Sequence, residues 1–147
     1  MNSLLSVVWL CCLIQVGFAC KCAVPTQKDV WERSDVVARM KIVSKKNEGH
    51  NIKYMANYVE SYKPAGQFHI AVPVPITTAS VSAACGVTNL EVNNEYLITA
   101  TRDGKELHIN TCNGMPGKEG SSSQPLGALH SKHIGKELEA KLKSGKF

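Results

Sequence analysis

No Asp, Glu, Lys or Arg occurs ahead of Lys21. The apolar run Leu4–Val16 that fills this uncharged stretch is too short, and too near the start, for a comfortable membrane span. Gly17-Phe18-Ala19 follows, with small residues at the two positions a signal peptidase reads, and then Cys20. The charged amino-terminal region is minimal, since Met1 supplies its only positive charge. A bacterial lipoprotein leader also places Cys at the cut, but Phe18 is too bulky for that pattern. The stretch therefore predicts a cleaved signal peptide over residues 1–19 and a secreted, extracellular product that begins at Cys20. No second apolar segment of spanning length follows, so no membrane span is expected.

Other scarcities narrow the function. Aromatic residues make up 6% of the chain, too few for a base-stacking surface, and with secretion this argues against nucleic-acid binding. Neither a P-loop nor a GxSxG motif is present, and the carboxylates are scattered rather than paired. His130 and His133 stand three apart without a further ligand at metal-site spacing, so they read as solvated histidines. Nothing here argues for an enzyme or for a cofactor of the protein's own. Internal repeats are absent as well. Removing 19 of the 147 residues leaves 128, a length that suits one domain over residues 20–147.

Cysteine is sparse too. Cys11 and Cys12 leave with the leader, and Cys20, Cys22, Cys85 and Cys112 remain. A secretory route makes two disulfides the simplest use of four cysteines, and a structural role outweighs redox chemistry. The leader carries no ionised side chain, so the formal charge of +5 belongs to the mature chain. Such basicity fits adhesion to acidic matrix polysaccharide, with Lys45-Lys46 and Lys136, Lys141, Lys143 and Lys146 as candidate faces. Ordinary solvated lysines are the simpler explanation.

What the chain does contain is strand. Val36, Ala38, Met40 and Ile42 alternate within Asp35–Val43, and Ile52–Tyr62 is aromatic-rich. Phe68, Ile70, Val72, Val74 and Ile76 alternate strictly, although Pro73 and Pro75 remove two ladder donors from one edge. Glu95–Thr101 and Lys105–Thr111 flank Arg102-Asp103-Gly104, a tight-hairpin signal. Five strands in a chain of this length predict a mainly β small barrel or sandwich. A short helix is expected over Thr26–Arg33, capped by Thr26. Ile134, Leu138 and Leu142 recur at helical spacing near the end, and Asn113–Gln124 reads as a Gly/Ser-rich loop.

The terminal CKC carries the chemistry. A Cys20–Cys22 bridge would be a strained ring. The two other pairings each staple this end to two interior points, closing loops of roughly 65 to 90 residues worth about 4 kcal/mol apiece in the chain-entropy model. A free α-amine has an unperturbed pKa of about 8, so a useful fraction is neutral at physiological pH. Beside its own carbonyl oxygen, that amine forms a five-membered chelating pair for a metal ion. Held rigidly outward, the pair could take the open position of a catalytic zinc in another protein. The bridges could equally do no more than stabilise a small core.

Cys20–Val43, with CKCAVP at its start and Ser34-Asp35-Val36-Val37-Ala38-Arg39-Met40-Lys41 after the first helix, resembles the tissue inhibitors of metalloproteinases. Cys85-Gly86, Tyr96–Ala100 through Asp103-Gly104, and Leu107–Cys112 extend the resemblance over most of the mature chain. It implies a netrin-like module, a five-stranded OB-like barrel with short flanking helices, bridged Cys20–Cys85 and Cys22–Cys112. It also implies that Cys20 chelates the zinc of a target proteinase through its amine and carbonyl, the metal being supplied by that enzyme. Lys21 would then face the pocket beyond the scissile bond. Cys22, Ala23, Val24 and Pro25 would lie along the cleft, with Ala83, Ala84, Cys85 and Gly86 packed beside them. A monomer is expected.

Three departures from that family stand out. The carboxy-terminal cysteine-rich module is not in this sequence. Glu32 stands where the first cysteine of a third bridge would be, which should loosen the first helix from the carboxy-terminal segment. Lys21 replaces a small Thr or Ser, so its ammonium must reach an acidic or deep pocket or be desolvated at a cost. The alternative from another class is a non-inhibitory netrin-like module that binds matrix or a signalling partner through its basic surface.

Overall fold

A computed structural model of the protein describes residues 20–63, 72–120 and 127–147. The leader, Phe68 and Ile70 lie outside the described residues. The β-branched and aromatic alternation that marks the first two strands produces a long hairpin, β1 (Val36–Glu48) and β2 (Asn51–Lys63), paired from Val37↔Lys63 to Glu48↔Asn51. Its two-residue turn depends on Gly49, whose φ of +63° suits glycine.

β2 pairs antiparallel with β3 (Val74–Ala79), and β3 runs parallel to the short β5 (Glu106–His108). β5 is hairpinned to β4 (Glu95–Asp103), which returns to β1 from Lys41↔Glu95 to Val36↔Ala100. Those pairings close a ring of five strands. A sixth strand, β6 (Ala128–His130), lies against β4 through Tyr96↔His130 and Ile98↔Ala128. The mainly β class is borne out, with one strand more than expected, because Ala-Leu-His is too short to carry an alternation. β5 is shorter than the predicted Lys105–Thr111, since the chain leaves the sheet to form a 3₁₀ turn at Thr111–Asn113. β3 begins only after Pro73. Val74, Ile76 and Thr78 are its buried positions, and Val72 is exposed.

The alternation has a direct packing meaning. Val36, Ala38, Met40 and Ile42 point into the ring with Ile52, Tyr54, Val74, Ile76, Ile98 and Leu107. The opposite face is covered as well, because Val37 and Leu97 pack under α1 (Gln27–Arg33) and α2 (Lys136–Ser144) through Val30, Leu138 and Leu142. Leu138 and Leu142 of the predicted stripe form the contact face of α2, while Ile134 precedes the helix and packs against the same cluster.

This second cluster joins the first helix to the carboxy-terminal segment without a third bridge. Gln27, 3% exposed, donates to the Pro116 carbonyl at 3.0 Å and accepts from Lys141 Nζ at 3.1 Å. The Trp31 ring packs on Phe147 with centroids 4.8 Å apart. Packing thus does what Glu32 cannot. Phe147→Ala is expected to lower stability by about 1–2 kcal/mol, the aromatic pair plus the partial burial of one ring. The urea midpoint should fall at unchanged slope. A midpoint equal to the unsubstituted protein's would show that the pair contributes nothing.

Candidate functional site

Two bridges fix the CKC segment. Cys20 is bonded to Cys85 and Cys22 to Cys112, with Cα separations of 5.2 and 5.1 Å, within the ordinary range. The bridges pack on each other: Cys20 Sγ lies 3.7 Å from Cys112 Sγ and 3.8 Å from Cys22 Sγ. All four sulfurs fall within 4.8 Å of one another, a grouping that would suit a soft metal ion if they were thiolates. Bonded in pairs, they serve as a covalent knot.

From this knot the chain runs out as a first ridge. Lys21, Ala23 and Val24 are exposed and Pro25 is buried. The Lys21 ammonium has no ion-pair partner among the described residues. The ridge cannot slide, because α1 begins immediately behind it. Thr26 is the N-cap of a reciprocal capping box, its Oγ1 accepting from the Asp29 amide at 3.1 Å while the Thr26 amide donates to Asp29 Oδ2 at 3.1 Å. The Thr26 hydroxyl also donates to Asp29, and these bonds hold the Asp29 carboxyl below its usual range. A groove of about 300 Å³ separates Ala23, Val24 and Pro25 from Asp29, Glu32 and Arg33.

The second ridge is the loop between β3 and Gly86. The Ala84 and Gly86 amides both donate to the Val81 carbonyl at 3.1 Å, and the Cys85 amide donates to Ser82 at 3.0 Å. This tight coil turns Val81, Ser82, Ala83 and Ala84 outward; Val81 is 54% exposed. Cys85 takes a left-handed φ of 59°, uncommon for a residue with a Cβ and held here by its bridge. Gly86 follows of necessity, since a Cβ there would fall on the Ala79 carbonyl oxygen. The Ser80 amide donates to His50 at 2.9 Å, and the Thr111 amide to Cys85 at 2.9 Å. The loop is thereby tied both to the hairpin tip and to the turn that carries Cys112.

The residues singled out in the sequence thus lie along two short segments joined at the Cys20–Cys85 bridge. Residues that the sequence reading passed over complete the site. Val81 and Ser82 extend the exposed ridge, and Thr111 places its Oγ1 3.6 Å from Cys20 Sγ. No spacing rule points to them, because their role depends on which strands the ring makes adjacent. His130 and His133, set aside as ligands, have ring centroids 6.1 Å apart, and the His130 ring packs edge-on against Tyr96.

Residues 18–124 match the family described as "Tissue inhibitor of metalloproteinase". The chain belongs to that family. Membership assigns it to a class of metalloproteinase inhibitors rather than to enzymes and makes metalloproteinases its natural partners. The chain is also 28% identical over 155 residues to a Caenorhabditis elegans protein named "Putative metalloproteinase inhibitor tag-225", the match covering 97% of each chain. Among the described residues no helix is long and apolar enough to cross a membrane. Family membership and the two disulfides fit a secreted protein.

Proposed function

We propose that this chain, secreted and cleaved after Ala19, inhibits zinc metalloproteinases by placing the Cys20 α-amine and carbonyl oxygen on the catalytic zinc of its target. The observation that supports this reading best is the knot. The Cys20–Cys85 bridge joins two exposed ridges into one edge, and Cys22–Cys112 fixes the segment's other side. Such an edge loses little conformational entropy on entering a cleft, so most of its contact energy is available for affinity. The neutral amine and its carbonyl take the position that catalytic zinc keeps for water, and the hydrolytic nucleophile is lost with that water. Cys22, Ala23 and Val24 lie along the cleft with the buried Pro25 behind them, and Ala83 and Ala84 press beside them, backed by Cys85 and the buried Gly86. The protein needs no cofactor of its own, and one copy suffices.

Adhesion to acidic polysaccharide ranks second, because the candidate basic faces carry partners of their own. Lys46 pairs with Glu48 at 3.1 Å, Lys141 with Glu137 at 3.4 Å and Lys143 with Glu139 at 2.9 Å, and Lys45 donates to the Thr88 carbonyl at 2.8 Å.

Refolded residues 20–147, titrated against a panel of zinc metalloproteinases, should inhibit at least one of them stoichiometrically. Failure against the whole panel would overturn the proposal. Lys21 sets the selectivity. Its exposed ammonium must enter a pocket that small side chains fill elsewhere in the family, so Lys21→Thr should tighten inhibition of enzymes with apolar pockets by about 1–3 kcal/mol. Weaker inhibition across the panel would instead reveal an acidic pocket that pairs with Lys21.

A further inference from the structure

The segment that carries the chain from Gly86 to β4 belongs to no strand, yet Val87 and Leu90 are buried. Buried backbone groups need partners, and here side chains supply them. Thr78, 4% exposed on β3, accepts the Val87 amide on its Oγ1 at 3.0 Å. Tyr54, fully buried on β2, donates its hydroxyl to the Val87 carbonyl at 2.9 Å. Lys45 on β1 donates to the Thr88 carbonyl at 2.8 Å, its ammonium 5.6 Å from the centre of the Tyr54 ring. At the far end the Glu91 amide donates to the Tyr96 hydroxyl at 3.1 Å. Three strands therefore converge on the two residues that leave the second ridge.

We propose that Thr78, Tyr54 and Lys45 are positioning residues for inhibition: they fix the exit of the 81–86 loop and, through Cys85, the orientation of the bridged Cys20. The proposal rests on the inhibitory reading above. One end of the ridge is anchored by the Ser80 amide on His50 and the other by these side chains. The Cys85 backbone lies between the two anchors. Loosening the exit allows the ridge to sample other conformations, and the cost of ordering it is then met on binding.

The test uses Thr78→Val, which keeps the shape and removes the acceptor, and Thr78→Ser, which restores it. Lys45→Met, at an exposed position, serves as a variant with no burden on folding. Amide exchange and inhibition are measured together, well below the unfolding temperature. A net hydrogen bond contributes about 0.5–1.5 kcal/mol, so exchange at Gly86, Val87 and Thr88 should speed by about 3- to 10-fold in Thr78→Val. Inhibition should weaken by a similar factor, mainly through faster dissociation. Exchange in the β1–β4 ladder should stay unchanged, which a general loss of stability would not allow. Thr78→Ser should recover both readouts, and Lys45→Met should move both in the direction of Thr78→Val. Wild-type exchange rates in Thr78→Val, or faster loop exchange with undiminished inhibition, would overturn the proposal. A wild-type chain that inhibits no proteinase overturns the inhibitory reading itself, while the exchange comparison still decides whether these side chains hold the loop.

Discussion

A single alanine added ahead of Cys20 should abolish inhibition while leaving the fold intact. The insertion converts the terminal amine into an amide nitrogen, a very poor neutral ligand, and places bulk where the metal must sit. Acetylating the Cys20 amine should act in the same way. Both bridges and both core clusters are untouched, so thermal stability should barely move. The loss should be complete at concentrations where the unextended protein titrates its target. Proton competition adds a direction with pH. The amine must shed its proton to bind metal, so inhibition should weaken as pH falls below the terminal pKa. Because the proteinase titrates too, the extension carries more weight than the pH profile. An extended protein that inhibits as well as its parent would remove chelation by Cys20 and bring the basic-surface reading forward.

Removing the second bridge should produce the largest loss of stability. Cys22→Ala with Cys112→Ala opens a connection between residues 90 apart in sequence. The chain-entropy model assigns such a closure about 4 kcal/mol, a large share of the 5–15 kcal/mol typical of a domain. The chain should fold more weakly in urea, and inhibition should fall further than stability alone explains, since the first ridge is then held only at Cys20 and by the Thr26 capping box. Full inhibition by the doubly substituted protein under folding conditions would show that the Cys20–Cys85 bridge suffices to fix the terminus.

Much of this architecture was legible in the sequence where local pattern and tertiary role coincide. Val36, Ala38, Met40 and Ile42 alternate because one face of β1 lines the ring, and Asp103-Gly104 marks the β4–β5 hairpin because the turn chemistry is local. Thr26 announces α1 by a cap whose partner lies three residues on. Elsewhere the deciding contact is remote. β3 is shifted toward Ala79 because its partners on β2 and β5, rather than its own alternation, choose which residues pair. β6 has three residues and exists only because β4 offers it an edge. The contact between Trp31 and Phe147 spans nearly the whole described chain, so no local pattern shows it. The first ridge could be picked out because CKC directly behind an apolar leader is an unusual pattern. The side chains that hold the second ridge, Tyr54, Thr78 and Lys45, looked like ordinary strand residues, since their importance lies in which backbone atoms they meet.

The most direct measurement replaces the zinc of a susceptible proteinase with cobalt, whose visible spectrum reports the ligands around it. One equivalent of the chain beginning at Cys20 should change that spectrum as bound water leaves and a nitrogen and a carbonyl oxygen enter. The same chain acetylated at Cys20 should leave the spectrum as it was and the enzyme active. Loss of proteinase activity with the water-bound cobalt spectrum intact would contradict the account, because the chain would then be blocking the cleft without touching the metal.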